Sequence, residues 1–224
     1  MLRTRSLATE LLDAEQLDAH EVAVNLREMA MLNRLPGGTG ASVRAVERLL
    51  GEQIEATVLD VGTGSGDFVR RLRRRRDVEV IAVDLRREVL DVAARNLAGI
   101  SNVSLVEADV AALPLADREV DVTHASMLLH HLDPDQAVAA FVEMRRVSRL
   151  GVVINDLRRG PVPFVLIAAA VLGLSRGTYT RHDGVLSARR AYTPAELDTL
   201  AGRAGLRRVS STARLWPRVT TVYR

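Results

Sequence analysis

The sequence predicts an α/β protein built on a mostly parallel sheet, and three observations carry that prediction. Beyond Gly51, short β-branched runs alternate with helical stretches; the first run breaks directly into three glycines; and no apolar stretch is long enough to cross a bilayer. Strand, helix, strand in repetition is what a parallel sheet covered on both faces requires. A chain of 224 residues, 47% of them hydrophobic, can bury one substantial core. One domain is expected, divided into a helical cap (1–51), a core (52–156), a helical insertion or lid (157–192) and a C-terminal helix with a hairpin (193–224).

In chain order, the pattern from Leu7 to Leu35 is helical, with Val22, Leu26 and Met29 on one face, and "PGG" at 36–38 stops it. A second short helix carries Val43, Val46, Leu49 and Leu50, with Ser42 as its expected N-cap. The strands are read at 57–61, 78–84, 103–109, 119–126 and 151–156, and the helices between them at 67–76, 86–97 and 134–147. "PVPFVLIAAAVLGL" (161–174) is uncharged; as a helix it spans about 21 Å, short of the roughly 30 Å hydrocarbon core. It reads as a buried core helix, a lid over an apolar ligand or a dimer face. A last helix opens with the capping box Thr193, Pro194, Glu196, and "LRRVSSTA" and "WPRVTTVY" follow as an antiparallel pair.

Composition removes several chemistries. All 31 basic residues are Arg, so Schiff-base catalysis, a phosphate-loop Lys and a Tyr/Lys dehydrogenase pair are excluded. Cysteine is absent, which excludes disulfides, a thiolate nucleophile and Cys-ligated zinc; no metal is expected. A net charge of +3 gives no general affinity for nucleic acid, and "RRLRRRR" (70–76) falls where a helix shows its solvent side. The N-terminus lacks the apolar core of a secretory signal, so the cytoplasm is the expected location.

"DVGTGSGD" (60–67) sits in the first strand-to-helix turn, which faces the ligand crevice of such sheets. Glycine there lets a ligand approach the main chain closely, and the helix N-terminus adds free N–H groups. The spacing is GxGxG, with Asp67 where a dinucleotide fingerprint has its third glycine. A carboxylate at Asp60 repels a pyrophosphate and attracts an ammonium or sulfonium. Asp84 ends the second strand, placed for ribose hydroxyls, and Asp109 ends the third, within reach of an adenine amine. A nucleoside carrying positive charge fits these features, and S-adenosylmethionine is such a molecule.

In this order and spacing, "VLDVGTGSGD", "IAVDL", "EADVAALPLAD" and "DVTHASMLLHHL" resemble the class I S-adenosylmethionine-dependent methyltransferases. The resemblance implies a Rossmann-like seven-stranded sheet of order 3-2-1-4-5-7-6 with strand 7 antiparallel. It also implies that Asp60, Gly62, Thr63, Gly64 and Gly66 line the methionine part of the cofactor, with Ser126 at the fourth strand end. Asp84 and Leu85 would take the ribose, and Asp109 and Val110 the adenine. Arg34, in the cap, is a candidate for the cofactor carboxylate.

The Asn/Asp-Pro-Pro-aromatic motif of enzymes that methylate nucleic-acid amines is missing from 126–132, so no nucleic-acid partner is expected. "LLHHL" is similar instead to ubiquinone/menaquinone-type methyltransferases, and "LREMAMLNRLPGG", "INDLRRG" and "ARRAYTPAEL" to a subgroup associated with type III polyketide synthases. These likenesses imply O-methylation of a small phenolic, polyketide or quinone-like acceptor, with carbon and nitrogen as alternative acceptor atoms. His130 and His131 are the candidate bases, one of them pointing into the crevice, and His182, in the turn "RHDG", is a third. His20 and His124 read as ordinary residues. Arg158 and Arg159 are candidates for holding a phenolate or carboxylate, and the protein is expected as a monomer or homodimer. Two readings from other classes stand beside this one: a non-catalytic cofactor-binding protein and an NAD(P)-dependent oxidoreductase.

Overall fold

The computed structural model describes residues 2, 4–13, 18–212 and 217–224. Seven strands form one sheet: β1 (Thr57–Val61), β2 (Glu79–Asp84), β3 (Val103–Glu107), β4 (Val120–Ser126), β5 (Ser148–Leu157), β6 (Arg208–Ser211) and β7 (Arg218–Tyr223), in the order β3-β2-β1-β4-β5-β7-β6. The pairs among β1 to β5 are parallel, and β7 runs antiparallel to both β5 and β6. This is the Rossmann-like arrangement expected from the motifs.

Alternation along β1 sends its side chains to opposite faces. Val58 packs with Val46, Phe68 and Leu72 of helices α2 (Thr39–Leu50) and α3 (Asp67–Arg73). Leu59 and Val61 pack with Phe141 and Met144 of α5 (Pro134–Val147) and Leu197 of α8 (Pro194–Arg203). Helix α4 (Arg87–Leu97) buries Leu90, Ala93 and Leu97. The expected capping box at α8 is present, formed by Thr193 and Glu196, and the structure shows another at α5, formed by Asp133 and Gln136.

Above the carboxyl ends of the strands sit α1 (Ala19–Leu32), α6 (Pro161–Leu174) and α7 (Thr178–Arg190), joined by a third cluster of Leu157, Ile167, Val171, Ala188 and Ala191 with Leu32 and Phe164. Helix α6 buries only the stripe Pro163, Ile167, Val171; Val162, Val165 and Leu172 are exposed, so it is a surface helix with an apolar outer face and not a buried core helix. Among the described residues no helix is long and apolar enough to cross a membrane.

Three local readings are corrected. The helix expected from Leu7 begins only at Ala19, because Asp18 accepts from the N–H groups of His20 and Glu21 and caps it there; Leu11–Asp13 forms a separate 3₁₀ turn. Residues 14–17 of that expected helix, and Ala213 and Trp216 of the expected hairpin, lie outside the described residues. Helix α2 is capped by Gly38 and not by Ser42; a Cβ at Gly38 would lie 2.1 Å from the Asn33 carbonyl oxygen, so the tight α1–α2 turn admits only glycine. "RHDG" is the interior of α7 and not a turn.

Candidate active site

The glycine turn rests on a buried brace. Asp60 and His124 are register partners on β1 and β4, and His124 Nδ1 lies 2.7 Å from Asp60 Oδ1, while Thr63 Oγ1 donates to Asp60 Oδ2 at 2.8 Å. The His124 ring stacks on Phe68 with centroids 3.7 Å apart, and its Nε2 has no partner among the described residues. Thus His124 fixes the acid that fixes the turn, a role its sequence position did not reveal. Gly62, Gly64 and Gly66 take φ values of 67°, 56° and 75°, in the left-handed region. A Cβ at Gly66 would meet Leu97 Cδ1 at 2.8 Å, whereas one at Gly64 would find nothing nearer than Leu26 Cδ2 at 4.0 Å. The first glycine is needed for packing, the second leaves open space.

That space belongs to a cavity of about 710 Å³, within the roughly 300–1,000 Å³ usual for ligand sites. Asp60, Gly62, Thr63, Gly64, Asp84, Leu85, Asp109, Val110 and Ser126 all line it. Gly66 stands just behind as the α3 N-cap. Asp84 accepts from Gly64 N at 3.1 Å and from Arg86 N at 3.2 Å, and burial pushes its pKa up despite those bonds. Asp109 accepts from Ala111 N at 2.9 Å and is exposed at the rim.

At the opposite end the chain leaves β4 through Met127, at φ 56°, and enters a 3₁₀ turn, Leu129–His131. His130 Nδ1 lies 2.6 Å from Asp156 Oδ1 and its backbone N donates to Oδ2, leaving Nε2, on a cavity-lining side chain, without a hydrogen-bond partner among the described residues. Burial works to raise the Asp156 pKa, but the His130 ring and the hydrogen bonds outweigh it and hold that carboxyl below its usual range. His131 Nδ1 faces Glu10 Oε2 at 3.3 Å, so both histidines line the cavity where one was expected to. Glu10, His130 and His131 bring ligating atoms within 4.8 Å of one another.

A clamp holds the histidine turn in place. Arg5 donates to the carbonyls of His130 and Leu132 at 2.7 Å each, Arg190 to those of His130 and His131 at 3.2 and 2.7 Å, and the Tyr192 hydroxyl to Leu132 O. The N-terminal segment is fastened across the cavity as well: Leu11 and Leu12 N–H groups bond Asp183, and Ser187 Oγ donates to Glu10.

Several candidates are placed elsewhere. His182 is exposed on α7, bonds its neighbour Asp183 and does not line the cavity. Arg34 is exposed and off the cavity wall. Arg159 is buried against Glu196 and the Ala191 carbonyl, and Arg158 also lies off the wall, so neither is positioned to meet a ligand there. Conversely, Glu10, Asp67, Asp156 and Arg218 line or brace the cavity without having been singled out as ligand contacts.

Residues 58–151 match the family model described as a methyltransferase domain. The malonyl-[acyl-carrier protein] O-methyltransferase of Marinomonas sp. (strain MWYL1) is 33% identical over 154 residues, covering 65% of this chain and 54% of its own. An uncharacterised methyltransferase of Schizosaccharomyces pombe is 28% identical over 54% of this chain and 47% of its own. The chain therefore spans about half the length of these curated relatives. In fold, it is similar to a methyltransferase from Aquifex aeolicus (TM-score 0.63, 20% identity, 93% of this chain and 98% of that one). It is similar also to human N-acetylserotonin methyltransferase solved with S-adenosylmethionine (TM-score 0.67, 16% identity, 92% and 56%). The sheet order, the glycine turn and the strand-end acids agree with these matches: residues 58–151 match a methyltransferase domain, and the chain has the fold of the S-adenosylmethionine-dependent methyltransferases to which it is similar.

Proposed function

We propose that the protein methylates an oxygen of a small, largely apolar acceptor, phenolic, polyketide or quinone-like, with His130 as the base. The single observation that carries this reading is the Asp156–His130 pair on the wall of a cavity whose other end holds the glycine turn and Asp84. The residues fit the cofactor: the space a Cβ would take at Gly64 is free for a ligand, and Asp84 and Asp109 stand at the ends of β2 and β3 for the ribose and adenine. S-adenosylmethionine, when bound, supplies an electrophilic methyl group on a sulfonium.

The chain's part is positioning and proton transfer. Asp156 accepts the Nδ1 proton of His130 and so fixes the tautomer, which leaves Nε2 to take the proton from an acceptor hydroxyl. A phenol, with a pKa near 10, needs that help at neutral pH. Leu128, Leu166, Ile167 and Val171 offer an apolar wall for a ring or alkyl tail, and α6 carries three of them. The relative from Marinomonas is named for O-methyl transfer, which supports oxygen over carbon or nitrogen.

The test is turnover of a phenol, quinol and carboxylic-acid panel by wild type, His130→Ala and Asp156→Asn. Loss of at least 100-fold in kcat for His130→Ala, with S-adenosylhomocysteine affinity kept within threefold, is the expected result. Equal kcat in that variant removes the base assignment. Tight cofactor binding without turnover of any panel member favours a non-catalytic cofactor-binding role.

A further inference from the structure

The lack of cysteine rules out thiolate ligation of a metal but leaves imidazole and carboxylate donors. At the histidine end of the cavity, Glu10, His130 and His131 offer one carboxylate oxygen and two ring nitrogens within 4.8 Å of one another. All three side chains line the cavity; Glu10 and His130 are buried, and His131 is partly exposed. His131 Nδ1 and Glu10 Oε2 are 3.3 Å apart. Four-coordinate zinc, with bonds of roughly 2.0–2.2 Å to nitrogen and oxygen, sets neighbouring donor atoms about 3.3–3.5 Å apart. That edge already has the length a coordination tetrahedron needs.

Support behind the donors separates this group from a chance gathering. Imidazoles that bind metals give their second nitrogen to a carboxylate or carbonyl, and carboxylates that bind metals are themselves hydrogen-bonded. Asp156 holds His130 Nδ1 at 2.6 Å, which leaves Nε2 as the donor atom of that ring. On Glu10, Ser187 Oγ donates to Oε1 at 2.9 Å and Arg190 Nε lies 3.7 Å from the same oxygen, while Oε2 is the one that faces His131. Arg5 and Arg190 also bond the His130 carbonyl, so the main chain carrying both rings is fixed. Two carboxylates, Glu10 directly and Asp156 through the ring, offset a divalent charge against the neighbouring Arg190.

We propose that Glu10, His130 and His131 form a binding site for a zinc-class divalent cation, with Asp156 and Ser187 supporting two of the ligands and a fourth position open to the cavity. Two imidazoles and one carboxylate favour zinc and its first-row neighbours over magnesium and calcium, which take oxygen donors. The site itself does not depend on the acceptor reading. Its consequence rests on the base assignment above: the ion occupies the Nε2 lone pair that would receive the acceptor proton, so zinc-loaded protein loses its base.

Calorimetric titration of tag-free, chelator-stripped protein with zinc, in the absence of cofactor and acceptor, tests the site. About one zinc per chain is expected, bound at least tenfold more weakly by Glu10→Gln and by Asp156→Asn and roughly 100-fold more weakly by His130→Ala. His20→Ala, which removes an exposed imidazole at the start of α1, should stay within about twofold of wild type. Cobalt(II)-loaded wild type should show the intense visible bands of a four-coordinate ion, and their absence overturns the proposed geometry. Unchanged zinc affinity in folded Glu10→Gln and His130→Ala overturns the site and gives the ion to other side chains. Saturating zinc should lower kcat at least tenfold, with a chelator restoring it. Full turnover with zinc bound overturns the competition for Nε2. Protein that binds no zinc while its turnover still requires His130 refutes the metal site alone, whereas zinc binding with equal kcat in His130→Ala refutes the base reading alone.

Discussion

Replacing Gly64 and Gly66 separately by alanine distinguishes two reasons for a glycine that the sequence cannot separate. Both sit at positive φ, which costs an alanine roughly 1–2 kcal/mol. At Gly66 the new methyl also meets Leu97 Cδ1 and Cγ at 2.8 and 2.9 Å, adding an overpacking cost of about 1–3 kcal/mol. The total for Gly66→Ala is about 2–5 kcal/mol, and at roughly 2–4 °C per kcal/mol its melting temperature falls on the order of 10 °C. Gly64→Ala meets nothing within 4 Å except Leu26 Cδ2 at that limit, so its melting temperature falls only about 2–8 °C. Its methyl stands in the cavity, however, where a ligand would lie against the main chain, and S-adenosylhomocysteine affinity should drop at least tenfold. Below its own melting temperature, Gly66→Ala should bind within threefold of wild type. Thermal melts and calorimetry on the two variants read out both quantities. If Gly64→Ala binds the ligand normally, the idea that the ligand runs over bare backbone is wrong; if the two variants lose stability equally, the packing argument at Leu97 is wrong.

Asp84 supplies a pH signature. Burial raises its pKa, so its contribution to stability is fully present below the unfolded-state value and is lost as pH rises through the folded-state value. Ligand hydroxyls that donate to the carboxylate favour the ionised form, so the thermal shift given by S-adenosylhomocysteine should grow as pH rises through the window just above the ordinary aspartate range and then level off. A flat shift from pH 4 to 7 would show that Asp84 does not meet the ligand. Arg190→Met removes the donor to the His130, His131 and Ala8 carbonyls and the cation beside Glu10, and should cost roughly 2–4 kcal/mol in a thermal melt with little change in nucleoside affinity. A change below 0.5 kcal/mol would mean that the histidine turn does not need its clamp.

The elements that were legible in the sequence are those whose signals are local. Helix α5 runs from Pro134 to Val147 and α6 from Pro161 to Leu174, within the limits read from the sequence, and Thr193 caps α8 as expected. Leu7, Leu11 and Leu12 misled because they continue a helical spacing, while the chain there is held by α7: the Leu11 and Leu12 amides go to Asp183. The glycine turn and the acids at 84 and 109 could be read because each follows its own strand. Asp156 and Arg218 could not, since one becomes significant only beside His130 and the other only when β7 pairs with β5. His124 is a plain residue within a strand until the β1–β4 register sets it against Asp60. Long-range juxtaposition of this kind leaves no period or motif behind.

The placement of β7 has an effect on the order in which the cavity can form. This strand lies between β5 and β6, and its first residue is Arg218. A nascent chain that has left the ribosome only as far as α8 already owns Asp60, Asp84 and His130, but its sheet ends at β5 and the cavity lacks Arg218. The cavity wall is therefore complete only once that strand has paired with β5. A ligand of the cavity can lock the assembled fold by mass action, but it meets an unfinished wall on the partly emerged polypeptide.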